Sequence, residues 1–274
     1  LTIYDGDDPD LPMWMVFTDN NDTGSQFAST KMLSCRTATS IFMLNGMLMC
    51  GGQGPYHDGA TEINFLTDSA KKHMNNGYYY NTLNISQRET TGGYFTVTSG
   101  TPSIVSNLIN DVAMTVLPNA PIDDATGLPI PTIAVATNSG ASIIKDDGTV
   151  SDLRRGGASF TSSVQFTDNN SIMLVWGHAD DAIRHINHYS YGDWQTDKTD
   201  YDQVTGYHEL PQFGTGALQS PLKTSATGVT SGVLVNLNGQ NRMSAKWDNY
   251  GLKLADLNDG DRANGMVAHI RPEY

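Results

Sequence analysis

The chain has 274 residues, with 29 acidic against 16 basic side chains and a formal charge of -13, a balance that argues against nucleic acid or an anionic membrane surface as a partner. No run approaches the roughly 20 apolar residues of a membrane-spanning helix, and two cysteines, Cys35 and Cys50, cannot build a disulfide framework. Glutamate is confined to Glu62, Glu89, Glu209 and Glu273, while 27 glycines accompany abundant Asn, Asp, Thr and Ser, the composition of a sheet protein with many turns.

In chain order, Leu1 to Asp5 and Met13 to Phe17 read as two strands, followed by a polar stretch from Thr18 to Thr30. No initiator Met or signal peptide precedes Leu1, so the expectation is a processed product or a piece of a longer polypeptide. Ser40 to Leu44, the Asn45-Gly46 turn and Met47 to Cys50 form a hairpin on the strongest short hairpin signal. Gly59 then precedes a third strand, Ala60 to Phe65, and after Asp68 the run Gly77-Tyr78-Tyr79-Tyr80 reads as the start of a fourth. The next unit opens with Asp111 to Leu117. An inserted loop, Pro118 to Pro131, cannot be helical because of its prolines. Ile133, Val135 and Thr137 alternate with Ala134 and Ala136, a strand buried on both faces with large residues on one side and small on the other. Asn138-Ser139-Gly140 and Asp146-Asp147-Gly148 then join it to Ala141–Lys145 and Thr149–Leu153.

A compact copy follows: Ser163 to Thr167, Ser171 to Trp176, Ala182 to Ile186 after Asp181, and His188 to Gly192. Another runs Gly232 to Leu237, Arg242 to Trp247, Leu252 to Ala255 after Gly251, and Gly265 to Ile270. The order A, B, turn with Gly, C, Asp, D thus recurs. Leu1 to Phe17 supplies only strands C and D of its unit. Segments 86–101 and 195–230 read as loops or extra strands between units. A repeat of roughly 40 to 50 residues built of four short strands is the signature of a propeller blade. The predicted fold is therefore all-β, a single β-propeller domain over residues 1–274 with about five four-stranded blades; the alternative is a β-sandwich or jelly roll.

Thr132 to Lys145, continued by Asp146-Asp147-Gly148-Thr149-Val150, resembles a segment of tail and tail-fibre proteins of marine tailed bacteriophages. Asn110 to Asp123, Ala125 to Pro129 and Leu1 to Phe17 resemble the same family, and the likeness is carried chiefly by residues 104–153. Proteins of that family are long and multidomain, with propeller-like repeats. The resemblance implies virion structure or host attachment and transfers no catalytic residue. It also implies other tail subunits as partners, a symmetric homo-oligomer, and a location in the virion tail, extracellular after release.

The residues best suited to recognition are the aromatics Tyr78, Tyr80, Tyr189, Tyr191 and Trp194, since flat rings stack on sugar faces while their polar tips hydrogen-bond. Tyr78 and Tyr80 are expected to share a face that Tyr79 opposes; Tyr201 and Tyr207 belong to the same set. Calcium has two candidate loops, Asp5, Asp7, Asp8 and Asp10, and Asp19, Asn21 and Thr23. The second lacks a Glu at the twelfth position, where Thr30 stands, and Asx-turns are the favoured reading of both. No metal or other cofactor is expected. His178, Asp180, Asp181, His185 and His188 crowd one stretch, but in a strand His185 and His188 point to opposite faces, so they read as solvated edge polars. Cys35 and Cys50 read as buried thiols, with a bridge between them as the alternative.

No sialidase-type Asp-box, G-x-S-x-G elbow, phosphate loop or H-E-x-x-H motif occurs. The expectation is a non-enzymatic tail component, structural or glycan-binding, with a purely structural interaction hub and a carbohydrate-active hydrolase as alternatives. No nucleic-acid partner and no membrane insertion are expected.

Overall fold

The computed structural model describes residues 1–18, 31–33, 37–54, 59–90, 95–97, 102–154, 159–167, 170–178, 184–199, 206–210, 229–237, 240–247, 251–256 and 266–270. Its strands fall into five antiparallel sheets in chain order. The first pairs β1 (Thr2–Tyr4) with β2 (Met13–Val16). The second is a six-stranded meander of β3 (Thr37–Leu44), β4 (Met47–Gln53), β5 (Ala60–Asn64), β6 (Ser69–Met74), β7 (Gly77–Asn81) and β8 (Phe95–Val97). The third comprises β9 (Ile109–Thr115), β10 (Thr132–Thr137), β11 (Gly140–Ile144) and β12 (Val150–Leu153). β13 (Ser159–Phe166), β14 (Ile172–His178), β15 (Arg184–Tyr189) and β16 (Gly206–Leu210) form the fourth. The fifth is β17 (Val229–Leu237), β18 (Gln240–Trp247), β19 (Gly251–Asp256) and β20 (Met266–Ile270). The chain is all-β, and among the described residues the only helices are two single 3-10 turns, Ile85–Gln87 and Asp193–Gln195.

Alternation along the strands decides how the sheets stack. All six residues of β10 are buried. Its large face, Ile133 and Val135, joins Val112, Met114 and Ile144 against Met49 and Ala60 of the second sheet. Its small face, Ala134 and Ala136, joins Ala113, Ala141 and Ile143 against Val164, Ile172 and Leu174 of the fourth. The opposite face of the second sheet, Leu48, Cys50 and Ile63, packs on Phe17 with Ile3 and Met15. Each buried Ile, Leu or Val contributes roughly 1.5–3 kcal/mol, so an inner sheet gains on both sides what a lone four-stranded sheet could gain on only one.

The first strands of successive sheets lie side by side: β3 against β9, β9 against β13, and β13 against β17. Each carries a bulge at the same place. Register slips past Thr39 in β3, Asn110 in β9, Ser162 in β13 and Thr230 in β17, and at the first two a polar side chain reaches the neighbouring sheet. Thr39 Oγ1 donates to the Ile109 carbonyl (2.8 Å) and Asn110 Nδ2 to the Thr161 carbonyl (2.7 Å). The residue after the bulge extends the link. Ser40 Oγ donates to Asp111 Oδ1 and Ser163 Oγ to Asp111 Oδ2, each at 2.7 Å.

Two sequence readings need correction. The fourth strand of the second sheet is β6, which contains Lys71, Lys72 and His73; Gly77–Asn81 is a fifth strand and Phe95–Val97 a sixth. Despite their charge, His73 and Lys72 are buried here. In the fourth sheet, His188 and Tyr189 end β15 and are followed by a turn, with Ser190 Oγ donating to Asp193 Oδ2 (2.7 Å), so the fourth strand is β16. Asn45-Gly46 behaves as the sequence demands, both residues taking positive φ (49° and 71°) in a tight hairpin. Cys50 lies in the core, and Cys35 lies outside the described residues.

Candidate functional site

The second sheet is two strands wider than the third, and its extra width is polar. On the face toward the third sheet, Met49 and Ala60 are apolar, but Glu62, Lys71, His73, Tyr78 and Tyr80 follow as the strands move outward. Register places them together: Glu62 opposite Lys71 and Ala60 opposite His73 on β5 and β6, then Lys71 opposite Tyr80 and His73 opposite Tyr78 on β6 and β7. Where these outer strands face the neighbouring sheet, a cleft of about 410 Å³ opens. Glu62, Asn64, Lys71 and Tyr80 line one side with Ile133 and Ile144 behind them. The inserted loop from Asp123 to Pro131 and the β11–β12 turn, Lys145 to Gly148, complete the walls.

Both walls are held by hydrogen bonds. The loop is a small hairpin of its own, with an Ile122–Pro129 bridge, Asp123 N donating to the Leu128 carbonyl (2.9 Å) and Ile130 N to the Pro121 carbonyl (2.9 Å). Asp123 Oδ1 accepts from Ala125 N (2.8 Å) and Thr126 N (3.2 Å). Asn45 Nδ2 donates to the Pro129 carbonyl (2.8 Å), tying the loop to the β3–β4 turn. On the other wall Asp147 Oδ1 accepts from Thr149 N and Oγ1, at 2.8 and 2.6 Å.

Glu62 is buried, yet it is held ionised. Burial pushes its carboxyl up, but the hydrogen bond to His73 Nε2 (2.7 Å) and the charge of Lys71, whose Nζ is 3.3 Å from Oε1, outweigh burial and bring it down from 4.5 to about 2. Lys71 Nζ also sits over the Tyr78 ring, 5.4 Å from its centroid. Tyr78 meets Tyr80 edge to face at 5.3 Å. Tyr80 is 45% exposed, and burial, its hydrogen bond with Tyr78 and the nearby Glu62 charge push its hydroxyl up to about 12. Hydrogen bonds from Thr149 lower Asp147. The arrangement offers a flat, neutral, partly exposed ring beside fixed acceptors, the chemistry that stacks a sugar face and binds its hydroxyls.

No family model matches the chain, and no curated protein does. Among solved structures it is similar to Kuenenia stuttgartiensis hydrazine synthase, at 9% identity over 93% of this chain and 70% of that one, with a TM-score of 0.44. An auxiliary nutrient binding protein from Bacteroides thetaiotaomicron matches at 10% identity over 86% of this chain and 57% of that one, TM-score 0.35. An engineered GH43 glycoside hydrolase with endo-xylanase and exo-arabinofuranosidase activity matches at 11% identity, over 92% of this chain and 48% of that one, with a TM-score of 0.36.

The predicted recognition aromatics divide. Tyr78 and Tyr80 share the cleft face, while Tyr79 turns to the other side, buried and packed with Met74. Tyr189 and Trp194 belong to the core between the third and fourth sheets, so neither ring faces solvent. Trp194 is fully buried, its Nε1 donating to the Asn170 carbonyl (2.9 Å) and its own carbonyl accepting from Ser151 Oγ (2.6 Å). Tyr191 is exposed and touches Trp194 edge to face at 5.3 Å, and it does not line the cleft. Tyr207 lies on β16, and Tyr201 lies outside the described residues.

The carboxylates of the first loop turn onto their own backbone, Asp5 Oδ1 accepting from Asp7 N (3.0 Å) and Asp8 Oδ1 from Asp10 N (2.9 Å), which are Asx-turns. Asp19, Asn21, Thr23, Asp180 and Asp181 lie outside the described residues. His178 ends β14, while His185 and His188 fall on β15 opposite Trp176 and Met173. Among the described residues no group of three or more His, Cys, Asp or Glu is placed to hold a metal. Sequence reasoning missed Glu62, Lys71, His73 and Asn45. The available signal was the inserted loop 118–131, which interrupts the repeat and forms a cleft wall.

Proposed function

We propose that the chain is a non-enzymatic component of a bacteriophage tail or tail fibre, a propeller of about five blades whose inter-blade cleft holds a cell-surface saccharide. The blade reading is supported by consecutive antiparallel meanders stacked face to face, with their first strands side by side and bulged at one common position. The first sheet's two strands correspond to the outer half of a blade. The tail assignment is supported by the family resemblance of residues 104–153, and it carries other tail subunits, a symmetric homo-oligomer and a virion location with it.

The observation that carries the saccharide reading is the pair Tyr78 and Tyr80, set edge to face over the Glu62–Lys71–His73 cluster with Tyr80 open to the cleft. A hydrolase is supported less well. Glycoside hydrolysis uses two carboxyls, one of which must be protonated at working pH; of the four that line the cleft, Glu62 and Asp147 are held below the ordinary carboxylate range and so do not suit the acid.

Tyr80→Ala tests the reading. Immobilised wild-type protein should retain host cells or their purified surface polysaccharide, and the variant should bind about tenfold more weakly with an unchanged thermal midpoint. Equal retention by both proteins would remove the cleft from host recognition. Antibody raised against the chain should decorate the tails of intact particles; decoration of heads or no decoration removes the tail assignment.

A further inference from the structure

The charge of the cleft deepens that reading and rests on it. Four carboxylates line the cleft, Glu62, Asp123, Asp146 and Asp147, against two amines, Lys71 and Lys145. Both amines are engaged by the protein: Lys71 Nζ by Glu62 and the Tyr78 ring, and Lys145 Nζ by the Gln195 carbonyl at 3.0 Å. An anionic sugar entering here would meet carboxylates and no uncommitted cation, inside a protein whose overall charge is already -13. Like-charge approach in a half-enclosed site is penalised more than on an open surface. The hydroxyls of a neutral sugar are donors, and a sugar ammonium is a charged donor; both suit the carboxylate oxygens.

We infer that the cleft selects by charge, taking neutral saccharides and preferring those with a free amino group, and excluding saccharides that carry uronate, sialate or phosphate. The cavity and its exposed Tyr80 ring make the site, and the charge decides which saccharide enters. Asp146 and Asp147 line the cleft from the β11–β12 turn, so an ammonium of a ring stacked on Tyr80 has their carboxylates as acceptors besides the engaged Glu62.

Three probes test this by calorimetric titration: a glucosamine trimer, an N-acetylglucosamine trimer and trigalacturonate. The glucosamine trimer should bind about three- to fivefold more tightly than its acetylated counterpart, an advantage that shrinks as salt rises, and trigalacturonate should not bind. Asp146→Asn combined with Asp147→Asn should abolish the advantage by weakening the glucosamine trimer more than the acetylated one; Tyr80→Ala should weaken both. Binding of trigalacturonate at parity, or an amino-sugar preference that survives the double substitution while Tyr80→Ala still weakens binding, overturns the charge selection and leaves the saccharide reading standing. Failure of all three probes, or affinities indifferent to Tyr80→Ala, overturns both.

Discussion

Ser163 Oγ donates to Asp111 Oδ2 at 2.7 Å across the junction of the third and fourth sheets, and Val164 N donates to the same oxygen at 3.1 Å. Ser40 Oγ holds the other carboxylate oxygen from the second sheet. One side chain therefore fixes the spacing of three consecutive sheets at their first strands. Asp111→Ala takes the carboxylate away from two hydroxyls and two amides, Val112 N and Val164 N, in a partly buried place, and should cost roughly 2–4 kcal/mol in urea unfolding. Asp111→Asn keeps one good acceptor and should fall between wild type and Ala. An Ala variant within about 0.5 kcal/mol of wild type would make the bridge ornamental.

Glu62 should make stability pH-dependent in acid. Its carboxyl is lowered in the folded state from 4.5 to about 2, so its stabilisation is complete above its unfolded value and is lost as pH falls through the folded one. His73, Lys71, Tyr78 and Tyr80 are the titratable groups that face it. Glu62→Gln should cost roughly 1–3 kcal/mol near pH 7. The gap between the two proteins should then narrow steadily between pH 4.5 and about 2. A gap that stays constant over that window would show that the charge of Glu62 contributes nothing.

How far the sequence reaches is visible in these same residues. The strands of the third sheet were legible because their signals are local: alternation along Ile133–Thr137, and turn residues at Asn138-Ser139-Gly140. Tyr78 and Tyr80 share a face because period two is a property of any strand. β6 was not legible, since Lys71-Lys72-His73 reads as solvated until Glu62 is set opposite it across a hairpin. The common bulge was written in Thr39-Ser40, Asn110-Asp111, Ser162-Ser163 and Thr230-Ser231, but short polar pairs carry no meaning until strand register aligns them. Trp194 fails for a related reason. Its neighbours Gly192, Asp193, Gln195 and Thr196 describe an exposed turn, and only the stacking of the third sheet on the fourth puts the indole inside.

That burial reverses what Trp194 replacement should do. Trp194→Ala empties a site bounded by Phe166, Tyr191 and the two sheets, and should cost roughly 3–5 kcal/mol in chemical denaturation. Trp194→Phe should cost less, through lost volume and the missing bond to the Asn170 carbonyl. Tyr191→Ala, at an exposed position, should stay within about 1 kcal/mol. Saccharide affinity of each folded variant should match wild type, because neither ring lines the cleft. A selective loss of affinity in Trp194→Phe with an unchanged midpoint would return this ring to the recognition surface.

Two glycines in the third unit separate backbone strain from steric contact. Gly140 closes the β10–β11 turn at φ 126°, and a Cβ there would stand 2.5 Å from the Leu153 carbonyl oxygen. That oxygen is fixed in the sheet by the β11–β12 pairing, so the turn itself would have to open. Gly127, at the tip of the inserted loop, has φ 69° and nothing within 4 Å of the same added atom. Gly127→Ala should cost only the left-handed backbone penalty, about 1 kcal/mol. Gly140→Ala should cost clearly more, roughly 3 kcal/mol, since strain and collision add. Equal midpoints for the two variants would mean that β12 yields to the added methyl and that the edge of this sheet is softer than its buried neighbours require.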